Sequence, residues 1–269
     1  MTATPSEPQH TARTYVVTGA ASGIGAATAA LLRTRGHRVI GIDIRNADII
    51  ADLSTADGRD TLAGAVDQAS GGRIDAVIAV AGVAAPAPVT ITVNYFGAVA
   101  TLERLRPLLV HSDAPRAAIV SSFSTLQTTD DDVVEACLQG DEAAAVNAAE
   151  TAVARDGGQT LYASSKRAIS RWVRRAAISP EWAEAGVPLN AVGPGIVISP
   201  MTQPMLDNPE QRDALLQVVP MPLHGPSEPA APAELLTWLT SPANTHVTGQ
   251  VIFVDGGADA SLRTGDIFA

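Results

Sequence analysis

The sequence predicts a single-domain, doubly wound α/β fold: a parallel sheet of about seven strands with helices on both faces. Three observations predict it. Short segments that are apolar at nearly every position alternate with longer segments of helical period, and a sheet buried on both faces demands such strands. A glycine-rich turn joins the first strand to the first helix. The 269 residues fit one large α/β domain and leave too little for a second.

The elements follow in order. Residues 1–13 are polar, hold Pro5, Pro8 and His10, and lack the apolar core of a signal peptide. They are expected as a disordered extension ahead of a domain over residues 14–269. Residues 15–18 form the first strand. An Ala/Leu-rich helix over 23–35 stops at Gly36, where a positive φ is wanted. Strands follow at 39–42 and 49–51, then a helix over 56–69 closed by Gly71 and Gly72. Residues 74–79 and 117–120 are further apolar strands, with a long helix over 91–110 between them. A helix over 162–178, a strand at 187–191, a helix near 232–239 and a last strand at 250–254 complete the alternation.

Hydrophobic residues make up 46% of the chain, enough for a sizeable core. The net charge of −10 argues against a nucleic-acid surface, which needs clustered Lys and Arg, and against anionic lipid. No apolar run reaches the roughly 18–20 residues of a membrane span. The lone Cys137 excludes an internal disulfide and a cysteine-rich metal site, and the five His residues show no metal spacing. These features together point to the cytoplasm and to no metal.

Thr18-Gly19-Ala20-Ala21-Ser22-Gly23-Ile24-Gly25 lies between the first strand and first helix. Glycines there let the backbone approach a pyrophosphate, and the helix N-terminus offers free N–H groups. Gly19, Ala21, Ser22, Gly23, Ile24 and Gly25 are therefore candidate dinucleotide ligands. Asp43, with Ile44 beside it, ends the second strand 24 residues after Gly19. That is near the separation at which an acid meets the adenosine ribose. A carboxylate there accepts from both ribose hydroxyls and repels a 2′-phosphate, so NAD is favoured over NADP. Arg45 is the one nearby residue that could accommodate the phosphate.

Tyr162 and Lys166 stand four apart on a helix, hence on one face. A free phenol, with a pKa of about 10, is too weakly ionised to be an efficient base near neutrality. A nearby ammonium favours the phenolate, so Tyr162 could take a proton from an alcohol or give one to a carbonyl as hydride moves. Ser121, Ser122 and Ser124 all follow the strand at 117–120.

On these residues the chain resembles the short-chain dehydrogenase/reductase family from residue 14 to about 258. The resemblance rests on the glycine loop, Asp43, Asp52-Leu53, Ala81-Gly82, Asn94, the Ser121/Ser122 region, Tyr162-Ala163-Ser164-Ser165-Lys166, Asn190, Pro194-Gly195 and Val254-Asp255-Gly256-Gly257. It implies that Asp52 and Leu53 contact adenine, that Ala81 and Gly82 line the adenosine ribose, and that Lys166 holds the nicotinamide ribose. Asn94 would hold a water for proton relay, and Pro194, Gly195 and Val197 would face the nicotinamide. Ser122 would bond the substrate oxygen. It stands 28 residues after Asn94, the family's spacing, with Ser124 as runner-up. Val80 replaces the family's usual Asn.

Within the family, residues 41–45, 51–55 and 93–97 look like the bacterial 3α-hydroxysteroid dehydrogenase/carbonyl reductases. Forty residues separate Ser122 from Tyr162, where the family commonly has about 13. The insertion, roughly 126–158, reads as one or two acidic helices. It precedes a helix that family tetramers use for packing, so a homodimer through another face is expected.

Residues 200–220 resemble the family's substrate loop. Met201, Met205, Leu206, Leu215 and Leu216 suit a hydrophobic substrate such as a steroid, terpenoid or aromatic ketone, although packing on the core would explain each equally. His224 reads as structural, and Trp172, Trp182 and Trp238 as packing residues. Two other readings stay open: a non-catalytic dinucleotide sensor, and a reductase of thioester-linked ketones. The Asn94, Ser122, Tyr162 and Lys166 set speaks against the first, and Asp43 with the acidic balance against the second.

Overall fold

The computed structural model describes residues 12–265. The expected extension lies outside the described residues up to position 11. Its last residue departs from the expectation: Arg13 is only 8% exposed and donates to the carbonyls of Asp75 and Ala114 at 3.0 and 2.8 Å.

The chain runs β1 (Thr14–Thr18), α1 (Gly23–Thr34), β2 (Arg38–Asp43), β3 (Ile49–Ile50), α2 (Ala56–Ser70) and β4 (Ala76–Ala79). One continuous helical stretch follows: α3 (Val89–Ile91), a π-helical segment (Thr92–Gly97) and α4 (Ala98–Leu109). Then come β5 (Arg116–Val120), a 3₁₀ turn (Phe123–Leu126), α5 (Asp131–Gln139), α6 (Glu142–Ala154) and α7 (Thr160–Ala176). The remainder is a second π-helical segment (Pro180–Glu184), β6 (Leu189–Pro194), α8 (Gln203–Leu206), α9 (Pro209–Val218), α10 (Ala230–Leu239), β7 (Val251–Val254) and α11 (Ala258–Arg263).

All seven strands pair parallel in the order β3-β2-β1-β4-β5-β6-β7. Successive residues of a strand point to opposite faces, and the core divides accordingly. Val16, Val77, Ala79, Ala117, Ile119, Leu189 and Ala191 join the cluster that holds Leu62, Leu102, Leu105, Ile169 and Val173 of α2, α4 and α7. Tyr15, Val17, Ala76, Ile78, Ala118, Val120 and Val192 join Ala29, Leu32, Leu236 and Leu239 of α1 and α10. Helices therefore cover both faces. The order reverses between β1 and β4, and ligands of open α/β sheets bind beyond the strand ends at such a switch point.

The helix stops follow the expected chemistry: Gly36 and Gly71 adopt φ of 81° and 75°. The insertion is two helices, each capped by an aspartate: Asp130 accepts from Val133 N and Asp141 from Ala144 N. It is no loose ornament, because Val133, Cys137, Ala145 and Ala149 belong to the main core cluster. Trp172 and Trp182 meet edge to face at 6.3 Å. Trp238 corrects the expectation of packing, since it is 42% exposed. His224 adopts φ of 64° in a turn, a structural position. Among the described residues no helix is long and apolar enough to cross a membrane, and no cluster of His, Cys, Asp or Glu could hold a metal.

Candidate active site

The glycine loop closes tightly on its surroundings. A Cβ on Gly25 would lie 2.1 Å from Gly19 O, and one on Gly19 would lie 3.0 Å from Ala81 Cα and N. Gly19 and Gly23 also have φ of 67° and 53°, a region that costs a side chain. Ser22 precedes α1 without capping it through its side chain, so the first N–H groups of the helix stay available to an anion. Thr18, which sequence reasoning passed over, ties the loop to its neighbour: its hydroxyl accepts from Val80 N and Ala81 N at 3.0 and 3.1 Å. A hydroxyl at the end of β1, directly before Gly19, was the available signal.

Asp43 stands at the end of β2 and accepts from Ala21 N at 3.1 Å and Ile44 N at 2.8 Å. Ile44 is 64% exposed. Asp52 accepts from Ser54 N and Ser54 Oγ at 2.9 and 2.6 Å, and those bonds lower its pKa. Leu53 is only 5% exposed and lies in the main core cluster, so a ligand would meet its backbone rather than its side chain. Glycine cradle, uncapped helix N-terminus and strand-end carboxylate together fit a dinucleotide without a 2′-phosphate.

The catalytic candidates meet beyond the ends of β5 and β6. Ser122, Tyr162, Lys166, Gly82, Ile24, Pro194, Gly195 and Val197 line one cavity of about 120 Å³, with Val80, Val120, Ser121, Ser199, Met201 and Thr202. Lys166 is buried and its Nζ donates to Val120 O at 2.8 Å. Burial pulls its pKa down to about 8. Its Nζ stands 5.7 Å from the centre of the Tyr162 ring. Burial pushes the Tyr162 phenol up, while a side-chain hydrogen bond with Ser122 opposes that rise. The expected lowering by Lys166 does not emerge: burial of the phenol outweighs the Ser122 hydrogen bond, which is what lowers it.

The serines separate cleanly. Ser121 Oγ donates to Lys166 O at 3.2 Å and shares a 2.7 Å bond with Ser170 Oγ, which fixes β5 to α7. Ser122 Oγ accepts from Ser124 N at 3.1 Å and faces the cavity. Ser124 is buried, its hydroxyl has no hydrogen-bond partner among the described residues, and it does not line the cavity.

Asn94 sits in the π-helical segment, behind the cavity. Its Oδ1 accepts from Val83 N at 2.8 Å, and its Nδ2 donates to Val83 O and Ser165 Oγ, both at 3.0 Å. The amide therefore locks the strand-end loop to α7. Gly82 lies between Asn94 and the lysine, with a notional Cβ 3.2 Å from Asn94 Oδ1 and 3.6 Å from Lys166 Nζ. Asn190 is structural: it donates to Val247 O at 2.7 Å and accepts from Gln250 N at 3.0 Å. Of the loop residues beyond β6, Met201 reaches the cavity, whereas Leu206, Leu215 and Leu216 pack on Phe123, Ile196 and Met221.

Comparison with known proteins gives the family. A family model described as enoyl-(acyl carrier protein) reductase matches residues 19–259. The 3-alpha-hydroxysteroid dehydrogenase/carbonyl reductase of Comamonas testosteroni is 37% identical over 253 residues, 92% of this chain and 97% of that protein. Galactitol 2-dehydrogenase (L-tagatose-forming) of Cereibacter sphaeroides is 34% identical over 250 residues, 90% and 92% of the two chains. The crystal structure of the 3-alpha-hydroxysteroid dehydrogenase from Pseudomonas sp. B-0831, complexed with NADH, superposes with a TM-score of 0.86. It is 40% identical and covers 94% of this chain and 99% of that one. The chain belongs to the short-chain dehydrogenase/reductase family of oxidoreductases.

Proposed function

We propose that the chain is a cytoplasmic, NAD(H)-dependent enzyme that interconverts a secondary alcohol and a ketone on a hydrophobic substrate, a 3α-hydroxysteroid or 3-ketosteroid above all. The observation that carries the reading is the grouping of Ser122, Tyr162 and Lys166 around one cavity next to the glycine loop. The NADH bound by the Pseudomonas relative supports the cofactor, and Asp43 is suited to bind its adenosine ribose. Bound there, NAD(H) would supply or accept the hydride.

This chain's own residues handle the oxygen and its proton. The Ser122 hydroxyl orients the substrate oxygen and stabilises the charge that develops on it. Tyr162 gives its phenolic proton to the oxygen of a ketone, or takes one from an alcohol. The Lys166 ammonium favours the phenolate by its charge and would hold the nicotinamide ribose. Asn94 belongs to the proton-relay path as the residue that fixes the loop and α7 around Lys166. Pro194, Gly195 and Val197 form the wall expected to face the nicotinamide. Ile24, Val80, Val120 and Met201 add apolar surface, which favours a hydrophobic substrate. A screen of NADH oxidation with steroidal, terpenoid, simple and sugar-derived ketones tests the reading. Highest kcat/KM is expected with 3-ketosteroids, and turnover confined to sugar-derived ketones would overturn the substrate class.

A further inference from the structure

We propose that the helical insertion braces the adenosine side of the cofactor cleft through a positioning pair, Arg59 of α2 and Glu142 of α6. The inference rests on the reading that residues 52–54 flank the adenine.

Arg59 is 6% exposed. Its Nη1 donates to Leu53 O at 3.2 Å and, at the limit of bonding, to Ser54 O at 3.5 Å. Its Nη2 donates to Glu142 Oε2 at 2.5 Å. One guanidinium thus holds both the loop that leaves β3 and the first residue of α6. A buried cation needs a counter-charge as well as hydrogen bonds, and Glu142 is its sole ion-pair partner among the described residues. Glu142 is well placed for that role, because the first turn of a helix favours a carboxylate.

The opposite side of the loop is fixed by contact. A Cβ on Gly97, in the π-helical segment, would lie 2.9 Å from both Leu53 Cβ and Leu53 O. Leu53 is therefore held between Gly97 and Arg59, while the inner faces of α5 and α6 share its core cluster through Val133, Cys137, Ala145 and Ala149. Removing Glu142 leaves the guanidinium buried without its anion. Asp52 then acts on it only through space, so the guanidinium turns toward water and releases the carbonyls of Leu53 and Ser54. The consequence belongs to the adenosine half of the ligand and not to the reacting carbonyl, which Tyr162 and Ser122 serve from the other side of the sheet's switch point.

The test is calorimetric titration of the full-length protein with NADH and with ADP, which carries the adenosine and the pyrophosphate without the nicotinamide ribose. Glu142→Ala is expected to weaken both ligands about five-fold, a size typical of coupled neighbours. Ketone KM and kcat at saturating NADH should stay at wild-type values. Glu142→Gln, which keeps an acceptor, should fall between. Because Arg59→Met also frees the loop, the double variant Arg59→Met/Glu142→Ala should bind no more weakly than Arg59→Met alone. Wild-type affinity in Glu142→Ala, or additive losses in the double variant, would overturn the brace and leave the cofactor reading standing. Failure of the wild-type protein to bind either ligand would overturn both.

Discussion

Burial and a hydrogen bond act in opposite directions on the Tyr162 proton, and burial wins. A raised phenol is protonated at neutral pH, which suits donation to a ketone; removal of a proton from an alcohol improves as the pH rises. Lys166 loses its charge as the pH passes about 8, and with it the charge proposed to favour the phenolate. Ketone reduction is therefore expected to be level below pH 8 and to decline above it, while alcohol oxidation climbs from neutrality before it flattens. Initial rates in both directions from pH 6 to 10 check this, and a reduction rate that rises through pH 8 would contradict it. The same group carries a sign for stability. A lysine whose folded pKa lies below its ordinary value destabilises the fold while it is charged, and that penalty fades as the pH rises from about 8 toward the ordinary lysine range. Tyr162→Phe removes the proton without changing the volume of the ring. Turnover should drop about 10²- to 10⁴-fold with NADH binding and Tm retained, and wild-type-like turnover would remove Tyr162 from the role. At Asp43 the argument concerns a charge at the ribose. Asp43→Ala should raise KM for NADH and lower that for NADPH, because the carboxylate both accepts from the ribose hydroxyls and repels a phosphate. Its loss also frees Ala21 N. An unchanged preference between the two cofactors in initial-rate assays would refute the ribose role.

Between α1 and the strands around it, the glycine loop is shaped by close approach as much as by φ. At Gly25 the φ is ordinary, yet an added methyl would strike the Gly19 carbonyl, a backbone atom that moves only if the whole turn moves. Gly25→Ala is expected to cost about 1–3 kcal/mol and to abolish NADH binding, as thermal unfolding and titration would measure. Binding at wild-type affinity would contradict the tight turn. This loop was legible in the sequence because glycine is the only residue that permits both features. The strands were legible too, since a sheet covered on both faces imposes runs such as Ala76–Ala79 and Arg116–Val120, buried at every position. The helix bearing Asn94 was legible as a helix but not in its winding: the π-helical turn at Thr92–Gly97 has no hydrophobic period of its own. The short helices α8, α9 and α11 were missed for a related reason, because four to ten residues lying against a loop cluster need not repeat an apolar face. Tyr162 and Lys166 could be placed on one helix face, but desolvation depends on what packs over that face. The net direction of the Tyr162 shift was therefore hidden until the cavity was known.

Across the whole molecule, the insertion decides which surfaces remain for a partner. The clusters of α5 and α6 pack into the core shared with α7, and the N-terminal part of that helix is buried within this chain, while Arg171, Arg174 and Arg175 nearer its end stay exposed. The other flank ends the sheet. β7 is an edge of the sheet, and its four residues Val251, Ile252, Phe253 and Val254 are all partly exposed. On α10, Trp238 is 42% exposed. An edge strand invites pairing unless something covers it, and a large exposed aromatic is typical of an interface anchor. A second copy related by a two-fold axis meets both needs at once, because a self-complementary patch closes as a dimer and stops. Light scattering at low micromolar concentration is therefore expected to give the mass of a homodimer. Trp238→Glu, which places a charge on the exposed side of α10, should shift the population to monomer while the folded CD spectrum is kept. A tetramer in the unaltered protein would show that the insertion leaves the α7 side available. A dimer that survives Trp238→Glu undiminished would move the interface away from α10.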